Sequence, residues 1–184
     1  MRITAVGEVA RGEVARAILE TSRLSGEFRL RSGQISDTYF DKYQFESEPE
    51  LLDAIAALMV PLLPDGVEVH AGLEMGGIPV ATAISLKTGT PAAFLRKKPK
   101  THGTCKYAEG PELTGRNIVL IEDVVSSGGQ LVETLRMLRA DGVHPSVALC
   151  VIDREMGGAE ALASEGIELR HVFTMGEIEA SGAA

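Results

Sequence analysis

The stretch Ile118-Val119-Leu120-Ile121-Glu122-Asp123-Val124-Val125-Ser126-Ser127-Gly128-Gly129-Gln130 decides how this chain is read. Four consecutive aliphatic residues describe a strand buried on both faces, as in parallel sheets. Leu131, Leu135 and Leu138 then recur at helical spacing, so the strand turns directly into a helix. The small residues 126–129 leave backbone N–H groups free at a helix N-terminus, where the aligned peptide dipoles favour an anion such as phosphate. Glu122 and Asp123 lie too close to that turn to share its phosphate. Adjacent carboxylates suit the paired hydroxyls of a ribose, or a magnesium ion beside them. An ordinary strand-to-helix turn with an acidic cap would look the same in isolation.

Outward from this motif, the hydrophobic pattern alternates. It predicts strands at 67–71, 92–95, 118–121, 146–151 and 167–173, with helices at 78–86, 131–138 and 159–163 between them. Val9, Val14, Ala17 and Ile18 predict a first helix, and Pro49 opens another through Leu52, Ile55, Leu58 and Met59. This order describes an α/β fold, a mainly parallel sheet flanked by helices, preceded by a small N-terminal hood. Ligands on such sheets bind beyond the carboxyl ends of the strands, where 122–129 would lie. The expected layout is a single domain over 1–184: a hood over about 1–45 contributing to a base site, a core at 46–175, and a frayed tail at 176–184.

The composition narrows the choice. The chain has 184 residues, 45% of them hydrophobic, and no apolar run approaches the length that spans a bilayer. Its N-terminus lacks an apolar segment followed by a cleavage site, so a cytoplasmic protein without membrane association is expected. Cys105 and Cys150 have no metal-type spacing, and Cys150 lies in an apolar run. His70, His144 and His171 fit no site and read as structural. A net charge of −8 argues against nucleic acid as a partner. Within this acidic chain, Arg96, Lys97, Lys98, Lys100, His102 and Lys106 crowd into one polar connection with few apolar anchors. Such a segment suits a lid over an anion, although a solvated basic loop has the same composition.

Three further stretches carry chemistry. In Gly26-Glu27-Phe28-Arg29-Leu30-Arg31-Ser32-Gly33-Gln34-Ile35-Ser36-Asp37-Thr38-Tyr39-Phe40-Asp41, Arg31 can bind a phosphate oxygen, and Tyr39 with Phe40 can wall a flat ring. Two aromatics packed in a hairpin beside a surface arginine is the plainer alternative. Gly72-Leu73-Glu74-Met75-Gly76-Gly77-Ile78-Pro79 follows a strand and opens a helix. Its glycines either admit a diphosphate to the backbone or serve a helix entry with positive φ. Arg154 directly follows the strand at 146–151. It can take a carboxylate through two parallel N–H bonds, or pair with Asp153 or Glu155.

Taken in order, these motifs resemble the orotate phosphoribosyltransferases. The 118–130 stretch is similar to the phosphoribosyl-diphosphate signature of the wider type I phosphoribosyltransferase family, whereas 26–41 looks like a segment other members do not usually carry. The resemblance runs from Gly26 to Glu155. It implies transfer of ribose 5-phosphate from phosphoribosyl diphosphate to orotate, giving orotidine 5'-monophosphate and diphosphate in pyrimidine biosynthesis. The implied diphosphate-side contacts are Arg31, Met75, Gly76, Arg96, Lys97, Lys100, His102, Glu122, Asp123, Val124, Val125, Ser126, Ser127, Gly128, Gly129 and Gln130. Tyr39, Phe40, Ser126 and Arg154 would hold orotate, and Lys100, Asp123 and Glu122 would serve catalysis. Magnesium is the implied cofactor, carried mainly by the diphosphate and lying near Glu122 and Asp123. The implied assembly is a homodimer whose lid reaches the neighbouring site; nothing in the residues bears on association with an orotidine monophosphate decarboxylase. Two departures stand out: Arg31 replaces a frequent Lys, and Gly76 stands where many members carry Lys. A related enzyme for a purine or another pyrimidine, and a nucleotide-sensing RNA-binding regulator, are the alternative readings.

Overall fold

The buried strands assemble where the hydrophobic alternation predicts them. The computed structural model describes residues 8–29, 33–99 and 107–182. Helix α1 (Glu8–Ser22) leads into a hairpin of β1 (Arg23–Arg29) and β2 (Ile35–Phe40). Then come α2 (Lys42–Ser47), α3 (Pro49–Met59) and a 3-10 turn at Val60–Leu62. The remainder runs β3 (Val69–Leu73), α4 (Gly77–Thr88), β4 (Ala92–Leu95), β5 (Ala108–Glu109), β6 (Ile118–Val125), α5 (Gly129–Ala140), β7 (Val147–Asp153), α6 (Gly158–Ser164), β8 (Glu168–Thr174) and α7 (Met175–Ala180). Six strands form one sheet in the order β5-β4-β3-β6-β7-β8. Every pairing is parallel except β4 with β5.

Both faces of this sheet are covered, which is why β3 and β7 carry no exposed residue. Strand alternation divides the core in two. Val119, Ile121, Leu149 and Val151 pack with α1, α3 and α4 on one face, whereas Ile118, Leu120, Ala148 and Cys150 pack with α5 and α6 on the other. In α3, Leu51, Ile55 and Met59 are buried at four-residue spacing, so the proline-opened helix docks with that stripe inward. In-register pairing brings Val125, Asp153 and Thr174 level, so the polar ends of the central strands share one edge.

Three expectations are corrected. The hood is smaller than 1–45: Val14, Ala15, Ile18 and Leu19 of α1 are core residues, and only the hairpin stands apart from the sheet. The connection after β4 is not merely polar loop, since β5 returns antiparallel to β4 and Leu113 is buried behind it. The tail does not fray over its described part. Thr174 and Glu177 form a reciprocal capping box that starts α7, and Ile178 is buried in the core. Arg11 of α1 clasps this end of the chain through Glu177 of α7 at 2.8 Å and the carbonyl of Val172 of β8 at 2.7 Å.

Candidate active site

Strand β6 continues through both acids to Val125, so Glu122 and Asp123 are set by sheet geometry rather than by a loop. Beyond it, Gly128 adopts φ +74° as the cap residue of α5, a conformation open to glycine and strained for other residues. Ser126 and Ser127 precede it, and Val132 N–H donates back to Gly128 O. The N–H groups of the first turn of α5 have no partner inside the helix, an arrangement that suits an anion. Gly158 of α6 packs directly against the turn: a Cβ there would meet Ser126 O at 2.5 Å.

Asp123 is 0% exposed in its side chain, yet it lies at the edge of the site beneath Lys42. The Lys42 ammonium is 2.7 Å from Oδ2 and 3.0 Å from Oδ1, and Val124 N–H donates to Oδ1 at 2.6 Å. Glu46, one helical turn after Lys42, is buried beside it. Burial raises the Glu46 carboxyl to about 9, with hydrogen bonding to Asp123 adding to the effect, so this acid is neutral near pH 7. Glu122 is likewise pushed well above the ordinary range by burial and then by Asp123. For Asp123, burial acts upward but the hydrogen bonds from Glu46 and Glu122 and the charge of Lys42 outweigh it, leaving the carboxyl below its ordinary value. The ionised Asp123 carboxylate therefore stands beside the neutral Glu46 acid, the upshifted Glu122 and one ammonium.

Gly76 explains why no side chain intrudes. Its backbone is right-handed helical, φ −70° and ψ −30°, so positive φ is not the reason for glycine. Close approach is: a Cβ would fall 1.8 Å from Asp123 Oδ2 and 2.8 Å from Glu46 Oε1. The preceding loop is braced by Gln130, whose Nε2 donates to Glu74 O at 2.8 Å, and by Glu74 Oε1, which accepts from Lys97 N–H at 2.5 Å. Met75 stands 60% exposed beside them.

A separate cavity of 360 Å³ opens between the hairpin and the sheet edge. It is lined by Thr38, Tyr39, Phe40, Arg154, Arg23, Leu19, Met175 and Glu179. Tyr39, Phe40 and Arg154 are thus brought together from segments more than a hundred residues apart. Tyr39 leans on Phe28, with ring centroids 5.5 Å apart at 31°, and Phe40 packs partly against the core. The plainer alternative of aromatics packed in a hairpin therefore holds as well, without removing either from the cavity. Arg154 is exposed and forms no ion pair with Asp153 or Glu155 among the described residues. Asp153 instead accepts Glu155 N–H at 2.9 Å.

Comparison with known proteins places these features in a family. Residues 43–168 match the family model described as "Phosphoribosyl transferase domain". The orotate phosphoribosyltransferase of Nocardioides sp. is 51% identical over 159 residues, covering 86% of this chain and 89% of that protein. The chain belongs to the orotate phosphoribosyltransferase family. The crystal structure of the Mycobacterium tuberculosis orotate phosphoribosyltransferase in complex with Fe(III) dicitrate superimposes with a TM-score of 0.83 at 31% identity, covering 91% of this chain and 98% of that one. The same enzyme in complex with 5-phospho-alpha-D-ribosyl 1-diphosphate gives 0.78 at 28% identity, covering 92% and 98%.

Within this family frame, the remaining site expectations divide. Arg96 is tied down just after β4: its Nε is 3.1 Å from Glu109 Oε1 and its N–H donates to Tyr107 O at 2.7 Å. Lys97, the next residue, is exposed. Arg31, Lys100 and His102 lie outside the described residues. Among the described residues no group of three or more His, Cys, Asp or Glu side chains could hold a metal ion, and the Asp123 carboxylate is already engaged by Lys42. The described donor set does not make a cage for a magnesium ion. His70 is structural as expected: it is fully buried, 3.1 Å from Thr88 Oγ1, and desolvation lowers its pKa to about 4.

Lys42, Glu46 and Arg23 escaped the sequence reading. Lys42 follows immediately after Tyr39-Phe40-Asp41, which is the only local hint. Glu46 gives none, because an acid next to Phe45 in a short helix ordinarily faces solvent.

Proposed function

We propose that this chain transfers the ribose 5-phosphate group of phosphoribosyl diphosphate to orotate, giving orotidine 5'-monophosphate and diphosphate for pyrimidine synthesis. The observation that carries the reading is a shared edge: the sugar-phosphate turn with Asp123, and the aromatic and arginine cavity, both open at the carboxyl ends of the parallel strands. In this reading the 5-phosphate rests on the N–H groups of 126–129, and Asp123 accepts from the ribose hydroxyls. Orotate lies against Tyr39 and Phe40 with its carboxylate on the Arg154 guanidinium. The bond from the ribose anomeric carbon to the diphosphate oxygen breaks, and diphosphate leaves with the electron pair. The orotate ring nitrogen then supplies the pair that forms the new C–N bond, and its proton passes to solvent or to the departing diphosphate. No covalent enzyme intermediate is required, so rate enhancement comes from positioning and charge placement.

Magnesium belongs in this reading as a partner of the diphosphate, because the described residues offer no cage for it. The lid from Arg96 onward, including Lys100 and His102, would close over the diphosphate of a neighbouring subunit in a cytoplasmic homodimer. Incubating the protein with phosphoribosyl diphosphate, magnesium and a panel of bases tests the whole assignment. Consumption of orotate with stoichiometric diphosphate release is the expected result. Turnover of a purine or uracil but not orotate would refute the base assignment, and no turnover with any base would refute the reaction.

A further inference from the structure

Lys42 lies in none of the phosphate or base motifs, yet its ammonium spans both oxygens of the buried Asp123 carboxylate. Three elements meet there: α2 supplies Lys42, β6 supplies Asp123, and the entry to α4 supplies Gly76. The two partners differ in access, since the lysine side chain is 33% exposed and the carboxylate is 0% exposed. A ligand approaching Asp123 therefore meets the ammonium first. A carboxylate has about four acceptor positions. Oδ1 accepts from both Lys42 and Val124 N–H, whereas Oδ2 lies 2.7 Å from the ammonium in an ion pair and has no hydrogen-bond partner among the described residues. A sugar hydroxyl that bonds Oδ2 must therefore share it with the Lys42 ammonium.

We propose that Lys42 is a positioning residue for Asp123: in the empty site it holds the carboxylate in the geometry that receives the ribose hydroxyls, and it yields its place to them when the phosphoribosyl group binds. This role rests on the phosphoribosyl-transfer reading of the site. The released ammonium stays on the same short helix, within a side chain's reach of the incoming anion, so charge is exchanged within the site rather than lost from it. Gly76 fits the same design, because a side chain there would occupy the space that Asp123 needs to remain within reach of Lys42.

The test is a double-mutant cycle with steady-state kinetics. Lys42→Met removes the charge while keeping the stem. It should raise KM for phosphoribosyl diphosphate about ten- to hundredfold, the range for loss of a charged hydrogen bond, with KM for orotate within about twofold. Lys42→Arg should recover most of the loss. The decisive measurement is the double variant Lys42→Met/Asp123→Asn. If Lys42 acts through Asp123, the double variant should be no worse than Asp123→Asn alone. It should also fold even if Lys42→Met does not, because the unpaired buried charge is gone. Multiplicative losses, or equal shifts in both Michaelis constants, would overturn the role. A wild-type protein that cannot use phosphoribosyl diphosphate at all would instead sink the functional reading, so the two failures are distinguishable.

Discussion

Replacing Gly76 by Ala should separate folding from sugar-phosphate chemistry more cleanly than any change at a charged residue. The new Cβ would sit 1.8 Å from Asp123 Oδ2, whereas real Cβ atoms essentially never approach a heavy atom within 3.0 Å, so the carboxylate must retreat by at least about 1.2 Å. Escape is restricted, because Asp123 is buried, pinned to Val124 N–H at 2.6 Å and flanked by Glu46. A displacement of that size breaks a 2.7 Å ion pair with Lys42. Losing a charged hydrogen bond costs about 1.5–3 kcal/mol, and kcat/KM for phosphoribosyl diphosphate should fall by about ten- to hundredfold at unchanged orotate affinity. The backbone at 76 is right-handed helical and admits alanine, so the helix entry itself should survive. Initial rates across phosphoribosyl diphosphate concentrations, with thermal unfolding alongside, make the measurement. A stable Gly76→Ala protein with wild-type kinetics would refute the packing of Asp123 against this loop.

Arg154→Ala should raise KM for orotate by about ten- to hundredfold, the same charged-contact range, and leave phosphoribosyl diphosphate largely unaffected; equal shifts in both would make Arg154 structural. The pH dependence of unfolding should show two opposed slopes. His70 is held neutral with its pKa near 4, so stability is whole above the ordinary histidine value of 6.5 and drains as pH falls toward 4. The loss is about 1.4 kcal/mol per pH unit and about 3 kcal/mol in all. Glu46 acts in the other direction, its contribution being complete below the ordinary 4.5 and lost as pH rises toward about 9. His70→Gln and Glu46→Gln should flatten the acid and alkaline limbs respectively in chemical denaturation, and unchanged limbs would show these groups titrate normally. Mixing Lys100→Ala with Asp123→Asn subunits should restore activity that neither homodimer has, since one composite site per hybrid would be intact; exchanged dimers without recovery would rule out a lid acting across subunits.

How much of this was legible depended on the distance over which each signal acts. The strand at 118–121 could be read because burial on both faces demands an unbroken aliphatic run, and that demand is local. The turn at 126–129 was legible for the same reason, since Gly128 answers a constraint within its own peptide. Gly76 was noticed but its cause was not, because its glycine is imposed by a carboxylate 47 positions along the chain rather than by its own φ. Lys42 and Glu46 were invisible as partners of Asp123, as charge on a short helix reads as solvated until the sheet is folded beneath it. The structured tail is a further case. Thr174 and Glu177 form a recognisable capping pair, but the small residues after Glu179 drew attention to the end of the segment instead of its start.

The clasp between α1 and α7 has a consequence for how such an enzyme can change. Leu19 and Arg23 approach the cavity beside Arg154 from the first helix and hairpin, Met175 and Glu179 from the last helix, and none of the four lies on the turn that follows Asp123. The Arg11 bonds to Glu177 and Val172 hold these two flanks in register. Under the proposed function, selectivity for the nitrogenous ring would be framed by the outer helices, and transfer chemistry by the inner strands. A substitution that resizes the cavity from α7 can leave Asp123, Lys42 and the phosphate turn undisturbed, so new base preferences are accessible without rebuilding the machinery that breaks the ribose bond.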